Sequence, residues 1–291
     1  MIRLKRKHEG ADASAAAPEA EGAGGADGAD AGGGAEEPHT PLPRLTGDGD
    51  LFLVNFRDAV MYERDAARLV NTPFTSDLWL NDSCINFWLK VADERLEGSL
   101  ASLPSPPSTP PLLLLDPSVV AFLRFQADEE DLGDYGSSVQ LDSKTCVAVP
   151  VNDSTGFLAG SGTHWSLLLF WVSDRSFDHL DSAGGSNRAA AGATAAKLWA
   201  AAFGDGAGAC PEVRDMTVPQ QSNAIDCGVH AIATAELLVD IAISLLHSED
   251  GSCDQPELRR LLQSRIATEV TPMAVTALRE TIFRKVFELV G

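Results

Sequence analysis

The chain has 291 residues and a formal charge of −20, from 42 acidic against 22 basic side chains. Such a surface repels nucleic-acid phosphates, which excludes a nucleic-acid partner and favours one with a basic face. Its cysteines, Cys84, Cys146, Cys210, Cys227 and Cys253, are odd in number, widely spaced and without a CxxC pair, so they read as free thiols rather than a disulfide framework or zinc site.

Residues 1–45 open the chain as an acidic Ala/Gly-rich tail. From Glu9 to Pro43 there is no aromatic residue and almost no branched aliphatic one, which leaves too little apolar area to offset the entropy of ordering. Arg3, Lys5, Arg6 and Lys7 make a basic cluster at its start, either a solvated end or a nuclear-import patch. The remainder, residues 46–291, is read as one domain of about 245 residues, long enough to bury a single core.

Arg57 to Val70 is read as a first helix. A second starts at Asp77 or just after it, carrying Ile85, Trp88 and Leu89 at helical spacing with Asn81 or Asp82 as its cap. The Pro- and Ser-rich stretch from Leu103 to Pro111 is a linker, Val119 to Phe125 a short helix, and the acidic segment after it a loop. Thr145 to Val151 is strand-like, with Pro150 implying a sheet edge or bulge. Asn152 to Gly162 is a loop.

The run from His164 to Trp171 is rich in aromatic and aliphatic residues and reads as a mainly buried strand. After a turn at Ser173 to Ser176, Phe177 to Leu180 returns as the next strand. Ala189 to Phe203 is an Ala-rich helix that Gly204 to Gly208 ends. A short strand, Glu212 to Val218, leads through the irregular Pro219 to Asp226 into a long apolar helix, Cys227 to Leu246. Pro256 to Val270 and Pro272 to Leu289 close the chain as helices. The aliphatic stretches are too short for a membrane span or are interrupted by Glu236 and Asp240, and no secretory leader is visible. The expectation is a soluble monomer of the cytoplasm, the nucleus or both, without a membrane partner.

A hairpin turning near Val172 and Ser173 sets His164 and Asp181 opposite each other on adjacent antiparallel strands, the geometry of a base and the group that orients it. Cys227 stands at the first turn of a helix, where free amides and the helix dipole favour a thiolate, and Gly228 beside it permits close approach. The main-chain amide of Cys227 and the carboxamide of Gln221 are candidate oxyanion donors. Spacing alone leaves the alternatives open: Cys227 as a buried helical cysteine, His164 as an ordinary strand-end histidine, Asp181 as a turn residue.

Three motifs in order, Trp79-Leu80-Asn81-Asp82, Gly162-Thr163-His164-Trp165-Ser166-Leu167-Leu168, and Gln221 followed by Asp226-Cys227-Gly228, resemble those of the proteases that process ubiquitin-like proteins, the SUMO and NEDD8 cysteine proteases. The resemblance covers roughly residues 50 to 285. It implies an α+β fold of the papain-like superfamily, a central mixed sheet flanked by helices with the nucleophile at a helix N-terminus. It also implies a triad of Cys227, His164 and Asp181 and an oxyanion hole helped by Gln221.

In that family a tail ending in Gly-Gly threads between two tryptophans, which map onto Trp79 and Trp165; a core role for both remains the alternative. Asp82 carries over as a contact to the tail, with capping of its own helix as the other reading. Val151-Asn152-Asp153, Gly160 to Leu168 and the Ser182 to Lys197 region resemble the NEDD8-specific branch, whereas Pro219 to Ile225 looks more like the SUMO proteases. The implied activity is that of a thiol isopeptidase or endopeptidase cleaving after the terminal diglycine of NEDD8, in deconjugation or precursor processing. SUMO with the same chemistry, or a non-catalytic module that binds such a modifier, are the alternatives. No metal or organic cofactor is implied.

Overall fold

The computed structural model describes residues 41–70, 77–157, 162–204, 206 and 208–290. The tail up to residue 40, with its basic cluster, and residues 158–161 of the expected Asn152 to Gly162 loop lie outside the described residues.

The first element is a hairpin where a helix was expected. β1 (Phe52–Phe56) and β2 (Ala59–Tyr62) pair antiparallel, with Phe56 opposite Ala59. Between them Arg57 (φ 52°) and Asp58 (φ 70°) are both left-handed, as a two-residue hairpin turn requires. Asn-Gly or Asp-Gly ordinarily announces such a turn, and Arg-Asp does not. A short helix, α1 (Glu63–Ala66), and a 3-10 turn at Ala67–Leu69 are what remains of the expected Arg57 to Val70 helix.

α2 (Asp82–Ala101) starts later than Asp77 because Asn81 supplies its cap, accepting a hydrogen bond from the Cys84 amide at 3.1 Å. After the Pro-rich stretch comes an unforeseen strand, β3 (Leu112–Leu114), and then α3 (Pro117–Phe125). The acidic segment that follows is not a loop but a helix, α4 (Glu129–Ser138), started by a reciprocal capping box between Asp128 and Asp131. Its Gly136 lies so close to α5 (Arg188–Phe203) that a Cβ there would fall 1.9 Å from the Ala201 carbonyl oxygen.

The main sheet adds β4 (Cys146–Asn152), β5 (Trp165–Trp171), β6 (Ser176–Leu180) and β7 (Arg214–Asp215) in the order β3-β4-β5-β6-β7. Its two outer pairs are parallel and its two inner pairs antiparallel. The expected Glu212 to Val218 strand shrinks to the two residues of β7. Pro150 pairs with Leu167 beyond the end of β3, where that side of β4 is an edge and no ladder donor is missed.

Every residue of β5 is buried because the sheet is covered on both faces. Leu167, Leu169 and Trp171 join one core with α2 and α6 (Cys227–Leu246); Leu168 and Phe170 join a second under α3 and α5. By length and composition α6 could cross a membrane, but it forms the centre of the first core, against α7 (Gln255–Glu269) and α8 (Pro272–Val290). The α+β class holds: a mixed sheet flanked by helices, with buried Cys227 at a helix N-terminus.

Candidate active site

Three separate elements bring the candidate residues together. His164 immediately precedes β5, Asp181 immediately follows β6, and Cys227 is the first residue of α6. The β5/β6 register pairs Leu167 with Leu180, so continuing it sets Asp181 opposite Ser166 rather than His164. His164 and Asp181 are therefore diagonal neighbours on one face, not directly opposed as the sequence reading had it. Their side chains close the gap, with His164 Nε2 2.7 Å from Asp181 Oδ1.

Backbone groups fix both partners. Gly184 (φ 69°) and Gly185 (φ 78°) turn the chain after β6 so that the amides of Ala183 and Asn187 donate to the Asp181 carboxylate at 2.8 and 2.9 Å. On the other side, Asp153 at the end of β4 accepts from the amides of Thr163 (2.6 Å) and His164 (3.0 Å). Gly162 lies close to Asn152 there: a Cβ would stand 1.6 Å from the Asn152 side-chain oxygen, so a larger residue would need that side chain to move.

Burial opposes charging of both groups, and their hydrogen bonds overcome it. The bond to Asp181, and after it the influence of the Cys227 sulfur, raise the His164 pKa to about 10. Bonds from His164, Asn187 and Ala183 lower the Asp181 pKa to about 2. A second imidazole, His230, shares a small cavity beside Cys227 with Ser166, Ser182 and Thr234, and burial pushes its pKa down. The two histidines are thus driven apart, and the one whose pKa is raised is the one bonded to Asp181.

Gln221 stands on the approach to α6. Its amide nitrogen donates to the Asn223 carbonyl at 2.6 Å, and its side-chain oxygen accepts from Ser182 Oγ at 2.8 Å, which leaves one N–H of the carboxamide beyond these two bonds. Trp165 is buried, its indole N–H donating to the Leu80 carbonyl at 2.9 Å, while the neighbouring Trp79 is exposed. Asp82 opens α2 half-buried, with burial and nearby Asp116 raising its pKa; capping falls to Asn81 instead. Gly228 packs on the same segment: a Cβ would lie 3.0 Å from Leu80 Cβ and 3.2 Å from Ile85 Cδ1. Among the described residues no group of three or more His, Cys, Asp and Glu converges as a metal site.

Sequence reasoning missed the network behind the histidine. Asn187 is buried and donates from Nδ2 to the Val151 carbonyl (2.8 Å) and to Ser166 Oγ (3.0 Å). Ser166 Oγ meets His179 Nε2 at 2.9 Å, and His179 Nδ1 meets Asp215 at 2.9 Å. Asn187 was visible only as part of the Ser182 to Lys197 region of the resemblance, and nothing in its spacing marks its contact with Asp181.

Residues 78–244 match the model of the Ulp1 protease family, C-terminal catalytic domain, which is more than half of the chain. The chain belongs to the Ulp1 protease family. It is a thiol protease with the catalytic fold of that family. Among curated proteins it is similar to NEDD8-specific protease 1 of Arabidopsis thaliana, 29% identical over 84% of this chain and 96% of the relative. It is also similar to human sentrin-specific protease 8, 28% identical over 65% of this chain and 82% of that one. Among solved structures, the C-terminal Ulp1 protease domain in complex with Smt3, the yeast ortholog of SUMO, superposes with a TM-score of 0.50. That match has 17% identity and covers 86% of this chain and 98% of that one. The family is thus related to both SUMO- and NEDD8-specific proteases, and the likeness to the Ulp1–Smt3 structure is one of fold.

Proposed function

We propose that this protease hydrolyses the bond after the terminal diglycine of a ubiquitin-like modifier, with Cys227 as nucleophile, His164 as acid and base, and Asp181 as the orienter of His164. The observation that carries the reading is one imidazole bonded to Asp181 at 2.7 Å whose pKa is also raised by the Cys227 sulfur at the start of α6. Cys227 Sγ attacks the glycine carbonyl, and the oxyanion takes hydrogen bonds from the free N–H of Gln221 and the Cys227 amide. His164 gives its proton to the departing amine, then takes one from the water that cleaves the thioester. Trp79 and Trp165 wall the slot for the tail, a filter that admits residues without side chains and rejects others by bulk. Asp82 contacts the tail at the slot's rim.

Two modifiers fit. NEDD8 is supported by the specificity named for the Arabidopsis relative and by the Val151 to Asp153 and Gly160 to Leu168 motifs. SUMO is supported by the Pro219 to Ile225 approach, which resembles that branch. Diglycine-tailed reactive probes of NEDD8, SUMO and ubiquitin, offered separately with mass mapping of the adduct, test class and substrate together. An adduct on Cys227 with one probe assigns the modifier, and loss of both adduct and turnover is expected in Cys227→Ala. A folded, reduced protein that reacts with none of the three, or a Cys227→Ala variant that still turns over, would overturn the proposal.

A further inference from the structure

The approach to Cys227 and the segment before Trp79 meet at one guanidinium that the catalytic reading does not use. Arg279 projects from α8, outside the residues matched by the family model, and sits on that helix's buried face with Val275, Ile282, Phe283 and Val286. An arginine at such a position loses its hydration, so a plain packing role would be served better by leucine or methionine. Its donors are spent instead on three separate stretches of chain.

Arg279 Nε donates to Asp226 Oδ1 at 2.6 Å and Nη2 to the Ile225 carbonyl at 2.7 Å, the two residues immediately before Cys227. Nη2 also donates to the Leu78 carbonyl at 3.0 Å, and Nη1 to the Arg68 carbonyl at 2.9 Å. Arg68 in turn donates from Nη1 to the Trp79 carbonyl at 3.0 Å. The other Asp226 oxygen accepts from Asn223 Nδ2 at 2.7 Å, and Asn223 Oδ1 accepts the amides of Ile225 and Asp226 at 2.9 and 3.0 Å. Because Gln221 donates to the Asn223 carbonyl, its carboxamide is held through the same residues.

We infer that Arg279, with Asp226 and Asn223, is a positioning residue for this protease. It fixes the sulfur of Cys227 and the carboxamide of Gln221 on one side and the Trp79 wall on the other as a single unit. The inference rests on the reading of Cys227 as nucleophile and Trp79 as channel wall, and deepens it: the gap that the substrate tail must fit is set from α8. A shift of about 1 Å between nucleophile and tail is enough to cost ~100-fold in rate.

The test compares wild type, Arg279→Met, Arg279→Lys and Asn223→Ala in turnover of a diglycine-tailed modifier amide. Rates are normalised to the Cys227 thiol titrated by iodoacetamide in folded protein and read as separate kcat and KM. Arg279→Met is expected to lose about 100-fold in kcat/KM per titrated thiol, with kcat affected. Arg279→Lys keeps the charge beside Asp226 but not the fork to the carbonyls, and recovers part of the loss. Asn223→Ala, at an exposed position, lowers kcat per titrated thiol at a temperature well below its melting transition, where the protein stays folded. Wild-type kcat per thiol in Arg279→Met overturns the inference; should that variant not fold, wild-type kcat in Asn223→Ala overturns it equally. Turnover surviving in Cys227→Ala under the same assay would instead defeat the underlying reading.

Discussion

At the scale of single residues, the charge state of the site is set by which atoms can reach Asp181. One of its oxygens receives His164 and the Ala183 amide, and the other the Asn187 amide. His164 is raised from 6.5 to about 10, so the stability it contributes is whole below its unfolded value and is lost as pH rises through about 10. Asp181 is lowered from 3.8 to about 2, so its contribution is present above 3.8 and is lost as pH falls through about 2. In Asp181→Asn the negative charge is gone and one of the two acceptor oxygens becomes an NH2, so only one of the Ala183 and Asn187 amides keeps its partner. The variant's urea midpoint is therefore expected to lie furthest below wild type between those two unfolded values, with the gap narrowing toward pH 10 to what the lost amide bond costs. The His164 titration followed by NMR should move down from about 10, and kcat should fall by about 100-fold or more. An unmoved His164 titration would show that Asp181 does not orient the ring. His164, Asp181 and Cys227 were legible as residue types at suggestive places. The two-residue offset in their register was not, because it depends on how the Val172 to Arg175 turn closes.

At the scale of elements, α6 carries Cys227, the proposed nucleophile, and α2 the segment next to Trp79, and Gly228 is where they touch. In Gly228→Ala the new methyl would press on Leu80 and Ile85, so the first turn of α6 must shift by a few tenths of an ångström or its neighbours must give. Overpacking of this kind costs about 1–3 kcal/mol, and here the displaced atom is adjacent to Cys227. A lowered melting temperature together with a lowered kcat is expected. A variant with wild-type values of both would mean that the interface has slack the packing does not show. The helices α2, α5, α6, α7 and α8 and the strands β4 to β6 were readable because their apolar periodicity or run length is strong. The β1–β2 hairpin, β3 and α4 were not, each for a local reason: a turn without glycine, a three-residue strand that exists only through its parallel pairing with β4, and an acidic helix whose start depends on Asp128 and Asp131 bonding each other's backbone.

At the scale of the whole molecule, the charge of −20 is the excess of 42 acidic over 22 basic side chains, and among the described residues most arginines are paired locally. Arg57 pairs with Glu97, Arg95 with Glu236 and Asp240, Arg259 with Asp174 and Asp178, Arg265 with Glu269 and Arg279 with Asp226. The remaining field is negative and long-ranged, so it draws in a protein substrate with a basic face and does nothing for an uncharged reagent. Raising sodium chloride from about 50 to 500 mM shortens the reach of that field from beyond 10 Å to only a few ångströms. KM for the modifier substrate is then expected to rise steeply and kcat to change little, since the reacting groups are buried and less screened. Alkylation of Cys227 by iodoacetamide in the same salt series should stay flat. A KM that does not respond to salt would mean that the modifier is held by the tail slot alone, with the acidic surface turned away from it.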